Sequence, residues 1–278
     1  MSVEDDLLKI KEIKKSLNLA IKAKGSDIAD ATRFDQYPKK IEGLGGNSIE
    51  IYTTDTNGKL QFAKDIVVPG VKTLSWSGDF GKMLSTETIS FPDLEQIETN
   101  NEIRFIATKA ISLPKLVSVT GTSFLIFSPS RYMDLVDTPV NFYLPNLKTI
   151  EYGSYMFIYN KSTISLPNLE EVIKGTDSMF AYCQGDTIEL PKLRTIRRMS
   201  SMFKNASKLK TISFPSLIVG DALDYFGPKT ADEGYSTFDG CNALSEIHFR
   251  ADQKEKIIAK DAYGRNLGAP NATIYFDL

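Results

Sequence analysis

The sequence has little of what chemistry usually needs. It contains one histidine, His248, and two cysteines, Cys183 and Cys241, too few for a disulfide framework or a four-ligand zinc site. No metal and no cofactor is therefore expected. Long apolar runs are missing as well: the longest, such as Phe124 to Phe127, fall far short of the ~20 residues a bilayer-spanning helix needs. Neither sign of charge dominates, since Lys plus Arg number 33 against 35 Asp plus Glu. No basic field draws in nucleic acid or an anionic membrane, so neither is an expected partner. The first residues carry Glu4, Asp5 and Asp6 with no apolar stretch behind them. That is unlike a secretory signal, so a chain made and left in a cytoplasm is expected.

Catalytic motifs are wanting too. There is no Gly-x-Ser-x-Gly elbow, no phosphate loop and no His-Glu-x-x-His pair, and Gly43-Leu-Gly45-Gly46 lacks the lysine and spacing of a phosphate cradle. The expectation is a non-enzymatic protein. Sequence spacing does not test one constellation, a pair of carboxylates about 5–9.5 Å apart as in glycosidases.

What is present suffices for a core: of 278 residues, 42% are apolar and 24% charged, an ordinary balance for a folded chain. Val3, Leu7, Ile10, Ile13, Leu17 and Ile21 recur at helical spacing between lysines and acids and predict an amphipathic helix from about Val3 to Ala23. Its apolar stripe either packs on its own chain or forms a short bundle between subunits, an oligomerisation helix. Gly45-Gly46 marks a boundary, giving a helical attachment segment at 1–46. From Ser48 the texture turns to short β-type runs around a hairpin signal at Asp55-Thr-Asn57-Gly58. The span 47–88 is expected to be a β cap, since the end of a repeat array must be closed against water.

An internal repeat is the dominant feature. Ile89-Ser-Phe-Pro92-Asp-Leu94-Glu-Gln-Ile97 recurs as Ile111-Ser-Leu-Pro114-Lys-Leu116, Phe142-Tyr-Leu-Pro145-Asn-Leu147, Ile164-Ser-Leu-Pro167-Asn-Leu169, Ile188-Glu-Leu-Pro191-Lys-Leu193 and Ile212-Ser-Phe-Pro215-Ser-Leu217. Successive prolines are 22, 31, 22, 24 and 24 residues apart, and most of these gaps match the 20–29 residues of a leucine-rich repeat. Alternation before each proline predicts a strand with one buried face, ended by a residue that cannot donate to a ladder. A second marker, Ser178-Met-Phe180-Ala-Tyr-Cys183, returns as Ser201-Met-Phe203-Lys-Asn-Ala206 and Ser236-Thr-Phe238-Asp-Gly-Cys241. It places both cysteines at one repeat position as small buried hydrophobes, with the Ala206 rung between them. Two rungs are roughly 10 Å, so no disulfide is expected. The solenoid is assigned to 89–249. A C-terminal cap at 250–278 is read as a polar-faced helix from Ala251 to Tyr263 and a final strand at Ala272 to Phe276. His248 alternates with Ile247 and Phe249 and is expected to point outward.

These copies resemble the bacterial BspA-like leucine-rich repeats, whose units read approximately Phe-x-x-Cys-x-x-Leu-x-x-Ile-x-Ile/Leu-Pro. Phe203-Lys-Asn-Ala206-Ser-Lys-Leu209-Lys-Thr-Ile212-Ser-Phe214-Pro215 matches, with Ala206 in place of the cysteine, while copies before Tyr143 lack the corner and are expected to be irregular turns. The resemblance implies a mainly β leucine-rich-repeat solenoid. More weakly, Ile21-Lys-Ala-Lys-Gly25, Phe34-Asp-Gln-Tyr37-Pro38 and Lys40-Ile41-Glu-Gly43 resemble the leader of tail-fibre-like proteins of phages and prophages. That likeness implies a tail-associated structural or host-recognition protein, made in the bacterial cytoplasm and carried on the virion. Its partners would be a bacterial surface receptor or other virion proteins, with homo-oligomerisation through the helix, a trimer being one such assembly. A BspA-like surface adhesin and a cytoplasmic protein-interaction scaffold are the alternatives. Candidate contact residues sit on two insertions, Arg131, Tyr132 and Met133 on one and Tyr225, Phe226 and Tyr235 on the other. Aromatic and arginine side chains on loops either anchor interfaces or plug an irregular core.

Overall fold

A computed structural model describes residues 49–50, 52–54, 60–62, 65–76, 81–84, 87–99, 103–107, 109–121, 125–127, 139–220, 236–261 and 264–278. The N-terminal helix expected at Val3 to Ala23, its candidate residues Val3, Leu7, Ile10, Ile13, Leu17 and Ile21, and the boundary at 46 lie outside these residues.

Within them the chain is mainly β, wound as a parallel β-solenoid of about seven turns. Each coil has a side before the proline and a side after it, and both reflect the two-residue period of a strand. Before the proline, Asp65–Val67, Thr88–Ser90, Ala110–Ser112 and Asn141–Tyr143 pair in parallel, with Ile66, Ile89, Ile111 and Phe142 in one register column. The column resumes in Ile164–Ser165 with Ile188–Glu189, then in Thr211–Phe214, Glu246–Phe249 and Thr273–Phe276. After the proline, a six-stranded parallel sheet runs from Thr73–Trp76 through Gln96–Thr99, Ser118–Thr120, Thr149–Tyr152 and Glu171–Gly175 to Thr195–Ile196. Proline breaks the strand because it has no N–H to give the next coil, and the two sides meet there at a turn. Just beyond it, Glu95, Val117, Lys148, Glu170, Arg194 and Ile218 each donate a backbone N–H to the coil before.

The apolar residues flanking the prolines share one interior. Leu94, Leu116, Leu147, Leu169, Leu193 and Leu217 are all buried, as are Ile97, Val119, Ile150, Val172 and Ile196, and all belong to one continuous core. A copy not counted above joins them: Ile66-Val-Val-Pro69-Gly-Val71-Lys-Thr-Leu74 is in register with the next coil at Ile66↔Ile89 and Leu74↔Ile97. Parallel winding thus begins inside the stretch read as a β cap at 47–88. In that stretch Tyr52–Thr54 and Leu60–Phe62 form the expected antiparallel hairpin.

The third side has two forms. In the early coils it is a parallel sheet of Ile49–Glu50, Gly81–Leu84, Ile103–Ile106 and Leu125–Phe127. The expectation of irregular early turns is corrected here: runs such as Ile103-Arg-Phe-Ile106 are rich in β-branched and aromatic residues and extend into strands. In the later coils the third side is a tight corner with left-handed backbone at Tyr155, Tyr159, Ser178, Tyr182, Ser201, Asn205 and Gly240. Successive corners still bond, as Phe157 N–H does to Met179 O at 2.9 Å and Phe180 N–H to Met202 O at 2.8 Å. Inside them Phe157, Phe180, Phe203 and Phe238 stack as a ladder with centroids 5.4, 5.3 and 5.1 Å apart.

At the C-terminal end the expected single helix is a 3-10 turn, Ala251–Gln253, followed by an α-helix at Lys254–Lys260. It is docked by buried Ile257 and by Gln253, whose Oε1 accepts Val219 N–H at 3.0 Å. The expected last strand, Thr273–Phe276, adds in parallel to Glu246–Phe249.

Candidate functional site on the face before the proline

The side before the proline is the candidate binding face. In these strands the column residue, Ile in most coils and Phe142 in one, points inward, so its neighbours form two outward columns. These are short and hydroxyl-bearing in many coils: Thr88 and Ser90, Thr163 and Ser165, Thr211 and Ser213. Carboxylates lock some of them between coils. Thr88 donates to Asp65, Ser165 Oγ to Glu189 Oε2 at 2.7 Å, and Thr163 Oγ1 to Asp186 Oδ1 at 3.4 Å.

The residue after each proline has a comparable task. Asn146 Nδ2 donates to Pro114 O at 2.7 Å, Asn168 Nδ2 to Pro145 O at 2.7 Å, and Ser216 Oγ to Pro191 O at 2.8 Å. Lys115 Nζ and Gly70 N–H both reach Asp93, at 2.8 and 2.9 Å. This column fastens one coil to the next, so it is not a free recognition surface.

The face opens into a groove at one break between its sheets. Strands Ile188–Glu189 and Thr211–Phe214 belong to different sheets: in the preceding coil Leu166 N–H reaches Glu189 O at 3.0 Å, whereas among the described residues no backbone bond joins Leu190 to Ser213. A groove of about 530 Å³ lies at this break, lined by Asp186, Thr187, Glu189, Lys210, Thr211 and Ser213 between Pro191 and Pro215. With hydroxyls, two carboxylates and one ammonium, it can hydrogen-bond a polar ligand in several directions. It holds neither cysteine nor histidine.

The groups that could carry chemistry lie elsewhere. Cys183 and Cys241 are free and buried, and their thiols donate to Phe157 O at 3.1 Å and Phe203 O at 2.9 Å. Burial pushes both thiols up to about 12, far from the thiolate a nucleophile or ligand requires. The equivalent position one coil earlier is Asn160, fully buried, whose Nδ2 has no partner among the described residues. His248 points outward as expected, with Nδ1 3.0 Å from Asp277 Oδ1 and Nε2 3.5 Å from Glu246 Oε2. Among the described residues no group of three His, Cys, Asp or Glu could hold a metal ion. Nor is any helix among them long and apolar enough to cross a membrane.

All six loop residues singled out from the sequence, Arg131, Tyr132, Met133, Tyr225, Phe226 and Tyr235, lie outside the described residues. The groove was not legible in the sequence, because no residue type marks a place where two neighbouring coils part. The chain matches no known family model, no curated protein and no solved structure.

Proposed function

We propose that this chain is a non-enzymatic binding module, a tail-associated structural or host-recognition protein of a phage or prophage whose coils are BspA-like leucine-rich repeats. The observation that carries the binding role is the face before the proline. Its outward side chains are spaced by the backbone ladder itself, about 4.8 Å from coil to coil, so an extended ligand meets a surface that loses little entropy on binding. The groove between Ile188–Glu189 and Thr211–Phe214 is its point of closest engagement. The tail reading rests on the resemblance of residues 21–43 to tail-fibre-like leaders, and the repeat family on the pattern from Phe203 to Pro215. The partner is a bacterial surface receptor or a neighbouring virion protein, met by a homo-oligomer joined through the N-terminal helix.

Two experiments test this. Immunogold labelling of particles induced from the host strain should decorate tails. Label on the envelope of uninduced cells instead indicates the adhesin, and label confined to the cytoplasm indicates the scaffold. Purified full chain should co-sediment with intact cells of the host strain, and Thr211→Trp should weaken that binding about tenfold or more while Thr195→Trp, on the side after the proline, leaves it unchanged. Equal behaviour of the two variants removes the assigned face.

A further inference from the structure

The last coil is held by an unusual set of side chains. Strand Thr273–Phe276 pairs with Glu246–Phe249 and ends its sheet. Its backbone ties at either end are Thr273 N–H to Ser245 O at 2.8 Å and Leu278 N–H to Phe249 O at 3.3 Å. On the outward face His248 stands opposite Tyr275, their rings stacked at 4.8 Å and 13°. The imidazole Nδ1 lies 3.0 and 3.1 Å from the two Asp277 oxygens, while Nε2 faces Glu246 Oε2 at 3.5 Å. Ionised carboxylates only accept hydrogen bonds, so both ring nitrogens can donate at once only in the imidazolium form.

We propose that His248 is a pH-responsive latch: its imidazolium, held between Asp277 and Glu246, fastens the last coil to the body of the solenoid. The facing groups are few. Glu246 is on the same strand and Asp277 just follows the last one, Tyr275 supplies the stacked ring, and the strand on the other side presents uncharged Ser213 in register. The carboxylates lie at opposite ring nitrogens and cannot close on one metal ion.

Burial alone would lower the pKa of His248, but hydrogen bonds to Asp277 and then Glu246 outweigh it and hold the value above the usual 6.5. A group whose pKa is raised on folding contributes fully below its ordinary value, and the contribution is lost as pH rises through the folded value. The last coil is therefore tightest in mildly acidic medium and loosens toward alkaline pH. Ile274 and Phe276 pack on the core from this strand, so loosening uncovers the end of the interior.

His248 is the only histidine, which makes its titration in the full untagged chain directly readable by NMR. Its pKa should lie above 6.5, and Asp277→Asn should lower it. Amides of Thr273 and Leu278, corrected for intrinsic exchange, should exchange more slowly at pH 5.5 than at pH 8.5, by roughly tenfold per unit of pKa elevation. In His248→Gln that difference should vanish. Titration at or below 6.5, or the same pH dependence in His248→Gln, overturns the latch.

Discussion

The early and late coils close the same interior in two different ways. Up to Phe127 the third side is a strand, with Gly81–Leu84, Ile103–Ile106 and Leu125–Phe127 in parallel register. From Ser154 onward it is a corner with repeated left-handed residues and a stack of phenylalanines. Coil length does not separate them, since prolines 22 residues apart bound one of each kind, Pro92 to Pro114 and Pro145 to Pro167. Residue type does. Ser178, Ser201, Asn205 and Gly240 are short or achiral and tolerate left-handed backbone better than β-branched residues. Tyr155, Tyr159 and Tyr182 do not share that tolerance, and the rings of Tyr159 and Tyr182 stack with centroids 4.9 Å apart. A solenoid therefore needs its inward columns to agree from coil to coil, while the way each coil turns back is a local choice.

The largest test of this contrast removes one ring from each form. Phe180→Ala takes a fully buried ring from the middle of the ladder and should cost about 3–5 kcal/mol, read from denaturant midpoints. Phe105→Ala also opens a buried site, where the ring meets Phe91 edge-on at 5.9 Å instead of joining the stacked ladder. Its cost should fall at the lower end of that range, and equal costs would remove the distinction between the two forms.

Next comes the exit from an early coil. Gly121 has φ of 115° and an added Cβ would overlap the Thr99 carbonyl. Gly121→Ala should cost about 1–3 kcal/mol, with loss of the Gly121 N–H bond to Glu151 Oε2 at 2.7 Å. An unchanged melting curve would show that this turn is not fixed as described.

Smaller still is the effect expected at Asn160. Replacing it by Cys, the residue of later corners, removes a buried Nδ2 donor with no partner among the described residues but also the Oδ1 that accepts Ser162 N–H at 3.1 Å. The two effects oppose, so the net change in the denaturant midpoint should correspond to less than about 1 kcal/mol; a larger loss would show that the Ser162 bond outweighs the unmet donor.

The smallest effect belongs to the proline ridge. Lys115, then Gly70 N–H, hold the Asp93 carboxyl below its usual 3.8. A carboxylate depressed on folding contributes above its ordinary value and loses that contribution as pH falls through the folded one. Asp93→Asn should leave stability at pH 7 nearly unchanged and flatten only the decline below about pH 3.8, followed by acid titration of the midpoint. A large loss at pH 7 would give this exposed ridge a weight that screened pairs do not carry.

Much of the fold was legible because its signals are local. Pro92 through Pro215 mark strand ends, and the Leu two residues later and the Val or Ile beyond it are buried as their spacing implied. The shared position of Cys183, Ala206 and Cys241 was readable too, and their burial follows it. Other features were hidden. The copy at Pro69 has Val71 where the others have Leu, and the corner at Phe157 ends in Asn160 instead of a small apolar residue. Ile103–Ile106 carries no proline or glycine to punctuate it. As for the site, Thr211 and Ser213 could be placed outward by alternation, but their share in a groove depends on a neighbouring coil 24 residues away.

By itself the sequence determined that the chain winds, where each coil turns at its proline and which side chains face inward, because strand period and proline chemistry act within a few residues. Only the tertiary structure decided the rest. How neighbouring coils meet settles which are closed by a strand and which by a corner, where the ladder opens into a groove, and that His248 is gripped between Glu246 and Asp277. Those outcomes depend on contacts between coils, whose residues are some 22 to 38 positions apart, a distance over which local propensity carries no information.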